Sequence, residues 1–205
     1  MSFHPKMAYD ATFHKSTRTL ADEGPPFAYT PENRARIDEI VKRYPADRAR
    51  SAVLPALYLV QGQQGYITGN AMRHVAEVLG ITPADVEDVV SYYTMFYTKP
   101  VGKFVLSVCR TLSCAVMGAE RVTEEICHAL HIKPGETDAS GTFTLIETEC
   151  LGACDRAPVV MVNDAWQELQ RPEDVPKLLE DLRARGESAL TGCHLVVETS
   201  GEKKG

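Results

Sequence analysis

Apolar residues recur at three- and four-residue spacing from Thr30 to Tyr97, and beyond Gly102 the pattern changes to short β-rich runs. Thr30 before Pro31 reads as an N-cap followed by a proline in the first helical position. Ile37, Ile40, Val41 and Tyr44 then share one face before Pro45 stops the helix. Ser51 is placed to cap a second helix carrying Leu54, Leu57 and Tyr58, with Pro55 tolerated in the first turn and Gly62 and Gly65 at the end. A third helix carries Met72, Val75, Ala76 and Leu79 and closes at Gly80. Thr82-Pro83 opens a fourth, in which Val86, Val89, Val90 and Tyr93 face one way. Four short amphipathic helices predict a small bundle. Tyr92, Tyr93, Phe96 and Tyr97 follow, and read as packing at a domain junction rather than as a ligand-stacking site.

Phe104 to Val108 reads as a strand. Val116, Ala119, Val122, Ile126 and Leu130 form one helical face, and Phe143 to Ile146 and Pro158 to Val162 are two further strands. Asn163-Asp164 is a turn signal, so Trp166 to Leu169 returns as a hairpin strand. Val175, Leu178, Leu179 and Leu182 form a last helix closed by Gly186, with Asp174 as N-cap because Pro176 would break a helix begun at Pro172. The order strand, helix, strand, strand, strand, helix resembles a thioredoxin-like α/β layer. The expected fold class is α+β: a small helical bundle over residues 30–100, then a thioredoxin-like α/β domain over 101–186. An N-terminal extension over 1–29 and a loose tail over 187–205 flank them.

Composition narrows the partners. The 205 residues carry a net charge of −6 without a basic run, so nucleic acid is not an expected partner. The longest apolar stretch, 52–60, contains Pro55 and falls far short of the ~20 residues of a spanning helix. Residues 1–29 mix both signs of charge with Gly24, Pro25 and Pro26 and do not read as a secretory signal, so a cytoplasmic location is expected. Six cysteines in that compartment read as ligands or buried thiols rather than disulfides. No two of the 14 glycines lie two or five positions apart, which excludes the usual dinucleotide fingerprint and the P-loop. Zincin, serine-hydrolase and haem-attachment motifs are absent from the sequence.

The cysteines carry the chemistry. Cys109 and Cys114 have four residues between them, Cys150 and Cys154 have three, and 35 residues separate the pairs. Each pair follows a strand at its C-terminal end, where the loops of an open α/β sheet converge, so four thiols can meet on one rim. Cys114 also opens a helix, whose dipole is expected to favour a thiolate. Gly152 and Ala153 leave room for backbone N–H groups to approach a sulfur. Spacing alone admits a 2Fe-2S cluster, structural zinc, or disulfides and free thiols.

The flanking residues go further. Val108-Cys109-Arg110-Thr111-Leu112-Ser113-Cys114, followed by Gly118-Ala119, and Glu149-Cys150-Leu151-Gly152-Ala153-Cys154-Asp155-Arg156-Ala157-Pro158 closely resemble the cluster loops of the NADH-quinone oxidoreductase E subunit, the thioredoxin-like 2Fe-2S protein of respiratory complex I. The resemblance extends through Asn163-Asp164 and Pro172-Glu173-Asp174-Val175. Upstream it takes in Ala56-Leu57-Tyr58-Leu59, Gln64-Gly65, Tyr93-Thr94-Met95-Phe96 and Lys99-Pro100-Val101-Gly102, and spans about residues 30–186. It implies that Cys109, Cys114, Cys150 and Cys154 hold a 2Fe-2S cluster that exchanges single electrons with FMN. The flavin and NADH would lie on a partner subunit, within a complex peripheral to the cytoplasmic face of the inner membrane and containing further peripheral-arm subunits. The isolated chain is then not expected to oxidise NADH. The same relationship admits the equivalent subunit of a soluble NAD-linked hydrogenase or formate dehydrogenase, and a four-cysteine zinc module remains the binding-protein alternative. Arg110, Leu151, Asp155 and Arg156 are candidate partner contacts. Ser113, Gly62 and Pro176 depart from the family pattern, and none is expected to touch a ligand.

The remaining candidates read as structural. Cys127 is a small buried hydrophobe, His128 and His131 sit favourably at a helix C-terminus, and His74 is a satisfied boundary residue. Cys193-His194 is a lone pair in the weakly patterned tail. No Ser-His-Asp or paired-carboxylate arrangement stands out.

Overall fold

The computed structural model describes residues 23–190, which fall into two compact units divided between Pro100 and Val101. The first contains α1 (Pro31–Val41), α2 (Val53–Gln64), α3 (Gly69–Leu79) and α4 (Pro83–Tyr92). Threonine opens three of them: the hydroxyls of Thr30, Thr68 and Thr82 accept the N–H of Asn33, Ala71 and Asp85, each at 3.2 Å. The Asp85 carboxylate accepts from the Thr82 N–H at 3.0 Å and closes a capping box. Helix α2 starts differently from expectation. Ser51 lies inside a 3-10 turn over Ala46–Ala52 and makes no cap; the turn's own bonding leads into the helix, with the Val53 N–H donating to Arg50 O. Gly62 lies inside α2, and Gly65 alone ends it in a left-handed conformation, φ 87°.

Ile37, Leu57, Val60, Val75, Val86 and Phe96 belong to the core of this unit. The end of the segment read as an extension joins them. Tyr29 is buried and its hydroxyl donates to Ala56 O at 2.9 Å, while its N–H donates to His74 Nε2 at 3.4 Å. Phe27 and Tyr29 meet the His74 ring edge-on, so His74 anchors this strap. The aromatic cluster expected at a junction makes contacts internal to the bundle: Phe96 meets Tyr58 and Tyr93 edge-on, and Tyr92 is 78% exposed.

The second unit is built on β1 (Phe104–Cys109), β2 (Phe143–Thr148), β3 (Val160–Val162) and β4 (Ala165–Gln167), in the order β2-β1-β3-β4. Strands β1 and β2 run parallel, and β3 is antiparallel to both β1 and β4. The crossover from β1 to β2 holds α5 (Leu112–Val116) and α6 (Ala119–Leu130), and α7 (Val175–Arg185) follows the hairpin. Alternate strand residues Phe104, Leu106, Phe143 and Leu145 share a core with Val122 and Ile126 of α6 and Leu179 and Leu182 of α7. Among the described residues this is an α+β fold with the expected order of elements. Asn163 and Asp164 make the two-residue hairpin turn, with Asn163 at φ 53°.

Several boundaries differ from the periodicity. Val116 does not share the α6 face: Gly118 at φ 96° separates α5 from α6, and Val116 is left exposed. Strand β3 begins at Val160, after a proline that lacks a ladder donor. Strand β4 runs from Ala165 and stops short of Leu169, which sits at φ 51°. Asp174 is the N-cap of α7, but its carboxylate accepts from the Arg171 N–H at 3.2 Å rather than from the helix, and Pro176 is tolerated in the first turn. The tail begins later than expected, since Ala189 and Leu190 are buried in the core. Cys193 and His194 lie outside the described residues.

One buried carboxylate secures the entry to β2. Asp138 accepts from the N–H groups of Thr142 at 2.7 Å and Phe143 at 2.8 Å, and from the Ser140 hydroxyl. Burial opposes its charge, yet these donors outweigh burial and hold the carboxyl below the usual carboxylate range. A carboxyl lowered in the folded state stabilises the fold above its unfolded pKa, near 3.9, and that contribution is lost as pH falls through the lower folded value. Asp138→Ala is expected to cost about 1–3 kcal/mol at neutral pH. The difference from wild type in urea unfolding should shrink as the pH falls below about 4.

Candidate metal centre

Parallel pairing of β1 with β2 brings the cysteine pairs together. Cys109, the last residue of β1, lies in register with Thr148, two residues before Cys150, and the Arg110 N–H donates to Thr148 O at 3.0 Å. Both loops therefore leave the sheet at the same edge. Cys114 returns toward that edge on α5, and Cys154 begins a 3-10 turn over Cys154–Arg156. An ion pair between Arg110 and Glu149 at 3.0 Å ties the two loops directly beside Cys109 and Cys150.

The four thiols come as two pairs. Cys150 Sγ and Cys154 Sγ are 3.4 Å apart and exposed, while Cys109 and Cys114 are buried. The charge of Cys109 reaches Cys114, Cys150 and Cys154, which marks the four as one electrostatic unit. Among the described residues no three His, Cys, Asp or Glu side chains are arranged around one ion. Cys127 is half-buried against the core of the second unit.

Backbone and hydroxyl donors surround the sulfurs. The Gly152 N–H donates to Cys150 Sγ at 3.4 Å, and the N–H groups of Thr111 and Leu151 face Cys109 while that of Val159 faces Cys114. Gly152 sits at φ 85° with open space where a Cβ would stand, so its requirement is conformational rather than one of room. Ser113 precedes Cys114 in α5 and is half-buried.

These contacts split the thiol acidities. Cys150 is lowered by the Gly152 N–H and by Cys154 and Thr111, while Cys154 is raised because it donates to Cys150 and faces its charge. Burial opposes ionisation of Cys109, but the Thr111 donors, Leu151 and Cys114 lower it. Cys114 is pushed up to about 11 by burial and then by Cys109, against the expectation that the helix start favours its thiolate. Five residues of helix do not overcome that desolvation. Metal binding at any of these thiols would release the proton it carries.

The donor set fits a two-iron cluster. Two thiolates about 2.3 Å from one tetrahedral ion stand roughly 3.7 Å apart, close to the Cys150–Cys154 separation of 3.4 Å. A 2Fe-2S cluster takes four cysteine thiolates in all. Residues 37–183 match the thioredoxin-like 2Fe-2S ferredoxin family. The NADH-quinone oxidoreductase E subunit of Mycobacterium tuberculosis is 42% identical over 173 residues, covering 82% of this chain and 68% of that protein. The chain belongs to this family.

The NADH-quinone oxidoreductase E subunit 2 of Rhizobium meliloti is 39% identical over 151 residues, 74% of this chain and 89% of its own length. The chain also superposes on an NAD+-reducing NiFe-hydrogenase in the air-oxidized state with a TM-score of 0.57 at 20% identity. It covers 64% of this chain and 23% of that one, and this likeness speaks for the fold. The family's cofactor, a 2Fe-2S cluster, is that of this chain, and the protein is an electron-transfer subunit of an NADH dehydrogenase complex whose other subunits are its partners. Among the described residues no helix is long and apolar enough to cross a membrane.

Sequence reasoning missed the exposed face beside the centre. Leu112, Val116 and Met117 are 80%, 77% and 61% exposed on and just after α5, the helix that carries Cys114. The i, i+4 spacing of Leu112 and Val116 was the available signal, hidden by reading Val116 into the α6 face. Of the expected contacts, Leu151 packs against the core, Arg110 pairs with Glu149, and Asp155 and Arg156 are exposed and 3.7 Å apart.

Proposed function

We propose that Cys109, Cys114, Cys150 and Cys154 are the cluster ligands, and that the protein exchanges single electrons with FMN on a flavin- and NADH-binding partner subunit. The observation that supports this most is the meeting of the two cysteine loops at the shared C-terminal edge of β1 and β2, with Cys150 and Cys154 3.4 Å apart. Bound there, the cluster supplies a one-electron carrier. The chain's own residues do the rest. Cys109 and Cys114 bury one side of the site, the exposed Cys150 and Cys154 bring the other to the surface, and Arg110 with Glu149 fixes the gap between the loops. Leu112, Val116 and Met117 offer an apolar contact on the same rim, where a flavoprotein subunit would dock. Further peripheral-arm subunits complete the complex, on the cytoplasmic face of the inner membrane.

The test is chemical. Protein made with iron available should be red-brown and contain about two irons and two acid-labile sulfides per chain, with an EPR signal only after reduction. Stoichiometric zinc without labile sulfide would overturn the reading.

A further inference from the structure

Four threonines stand at helix N-caps among the described residues, and one behaves differently. Thr30, Thr68 and Thr82 each accept a backbone N–H of their own helix through the hydroxyl, the ordinary role of a threonine cap. Thr111 caps α5 only through its backbone: its carbonyl accepts from the Ala115 N–H at 2.9 Å, and its side chain makes no capping bond. The hydroxyl lies instead 3.2 Å from Cys109 Sγ.

In the free thiols either atom can donate along the Thr111–Cys109 contact. Metal-bound thiolates carry no proton, so with the cluster in place the hydroxyl must be the donor. Its proton is then directed at the Cys109 sulfur.

We infer that Thr111 is a positioning residue that raises the reduction potential of the centre, by donating a hydrogen bond to the Cys109 thiolate. Reduction adds one negative charge that is shared with the ligand sulfurs, and a donor aimed at a sulfur is held more strongly in the more negative state. The half-buried position of Thr111 strengthens the effect by limiting solvent screening. The inference rests on the assignment of the four cysteines as ligands.

Thr111→Val removes the hydroxyl and keeps the branched shape, whereas Thr111→Ser keeps the hydroxyl. The readout is the midpoint of an EPR-monitored potentiometric titration of the loaded protein. Thr111→Val is expected to lower the reduced-to-oxidised ratio at a fixed potential about tenfold, ~59 mV for one electron. Thr111→Ser should stay close to wild type. Thermal unfolding of the apoprotein should change little in Thr111→Val, because no capping bond is lost. Reduced apoprotein stability with an unmoved midpoint would reveal a purely structural residue and overturn the inference. If Thr111→Val assembles no cluster, Thr111→Ala is titrated in its place. Assembly failure in both with full assembly in Thr111→Ser supports the donor role, and a wild-type midpoint in either overturns it. A wild-type chain that binds no 2Fe-2S cluster would overturn the ligand assignment and this inference together, whereas a loaded wild type with an unmoved Thr111→Val midpoint overturns this inference alone.

Discussion

Alanine at any one of Cys109, Cys114, Cys150 or Cys154 is expected to reduce bound iron from about two per chain to near zero, because on the proposed assignment one iron loses one of its two protein thiolates. Labile sulfide and the reduced-state EPR signal disappear with it. The buried Cys109 and Cys114 and the exposed Cys150 and Cys154 should be equally indispensable for the cluster. They should differ in the apoprotein, where only the buried pair contributes packing to the core. Cys127→Ser is expected to leave the iron content unchanged, since Cys127 packs beside the core and its thiol is raised first by burial and then by Glu147 and Glu136. Cys193→Ser, in the tail outside the described residues, is expected to behave likewise. Iron analysis with circular dichroism of each variant decides the matter, and iron loss from a folded Cys127→Ser protein would mean that the wrong four were chosen.

The isolated protein, cluster intact, is expected to show no NADH-ferricyanide turnover, with activity appearing only when a flavin-bearing partner is added. A hydride delivers two electrons, whereas a single 2Fe-2S centre accepts one, so a flavin must divide the pair. The glycine spacing of this chain excludes the usual dinucleotide fingerprint. If the α5 rim is the docking face, Leu112→Asp and Val116→Asp, both at exposed positions, should leave iron content at the wild-type level and weaken co-purification of the flavoprotein about tenfold or more, the effect of losing one apolar anchor worth about 1–2 kcal/mol. Flavin-independent turnover by the purified chain would contradict this division of labour. Unchanged association in both variants would move the docking face elsewhere.

Much of this protein is legible in local sequence because local chemistry determines it. Thr30-Pro31 and Thr82-Pro83 announce helix starts that the structure shows as capped turns, and Gly80 ends α3 in the left-handed conformation its position demands. The order of strands and helices in the second unit, and the two cysteine pairs behind strand ends, follow from short-range patterning in the same way. The family was legible too, through residues flanking those cysteines. Misreadings fall where a residue's partner lies far away in sequence or where a single glycine breaks a period. Val116 fits the α6 periodicity, but Gly118 turns the chain and leaves it in solvent beside the centre. Tyr29, 27 residues before Ala56 in sequence, becomes core only because the folded strap reaches that carbonyl.

At the cysteine site the division is sharper. Residue type and spacing put two cysteine pairs on two loops and left cluster, zinc and free thiols open, and the family resemblance singled out the cluster. Tertiary structure decided their protonation: Cys109 and Cys150 are lowered by donors converging from Thr111, Leu151 and Gly152, while burial raises Cys114 and donation to Cys150 raises Cys154. Only parallel pairing of strands 39 positions apart in register, Phe104 with Phe143, brings Arg110 to Glu149. Such contacts are non-local, and their strength depends on how far the surrounding fold excludes water.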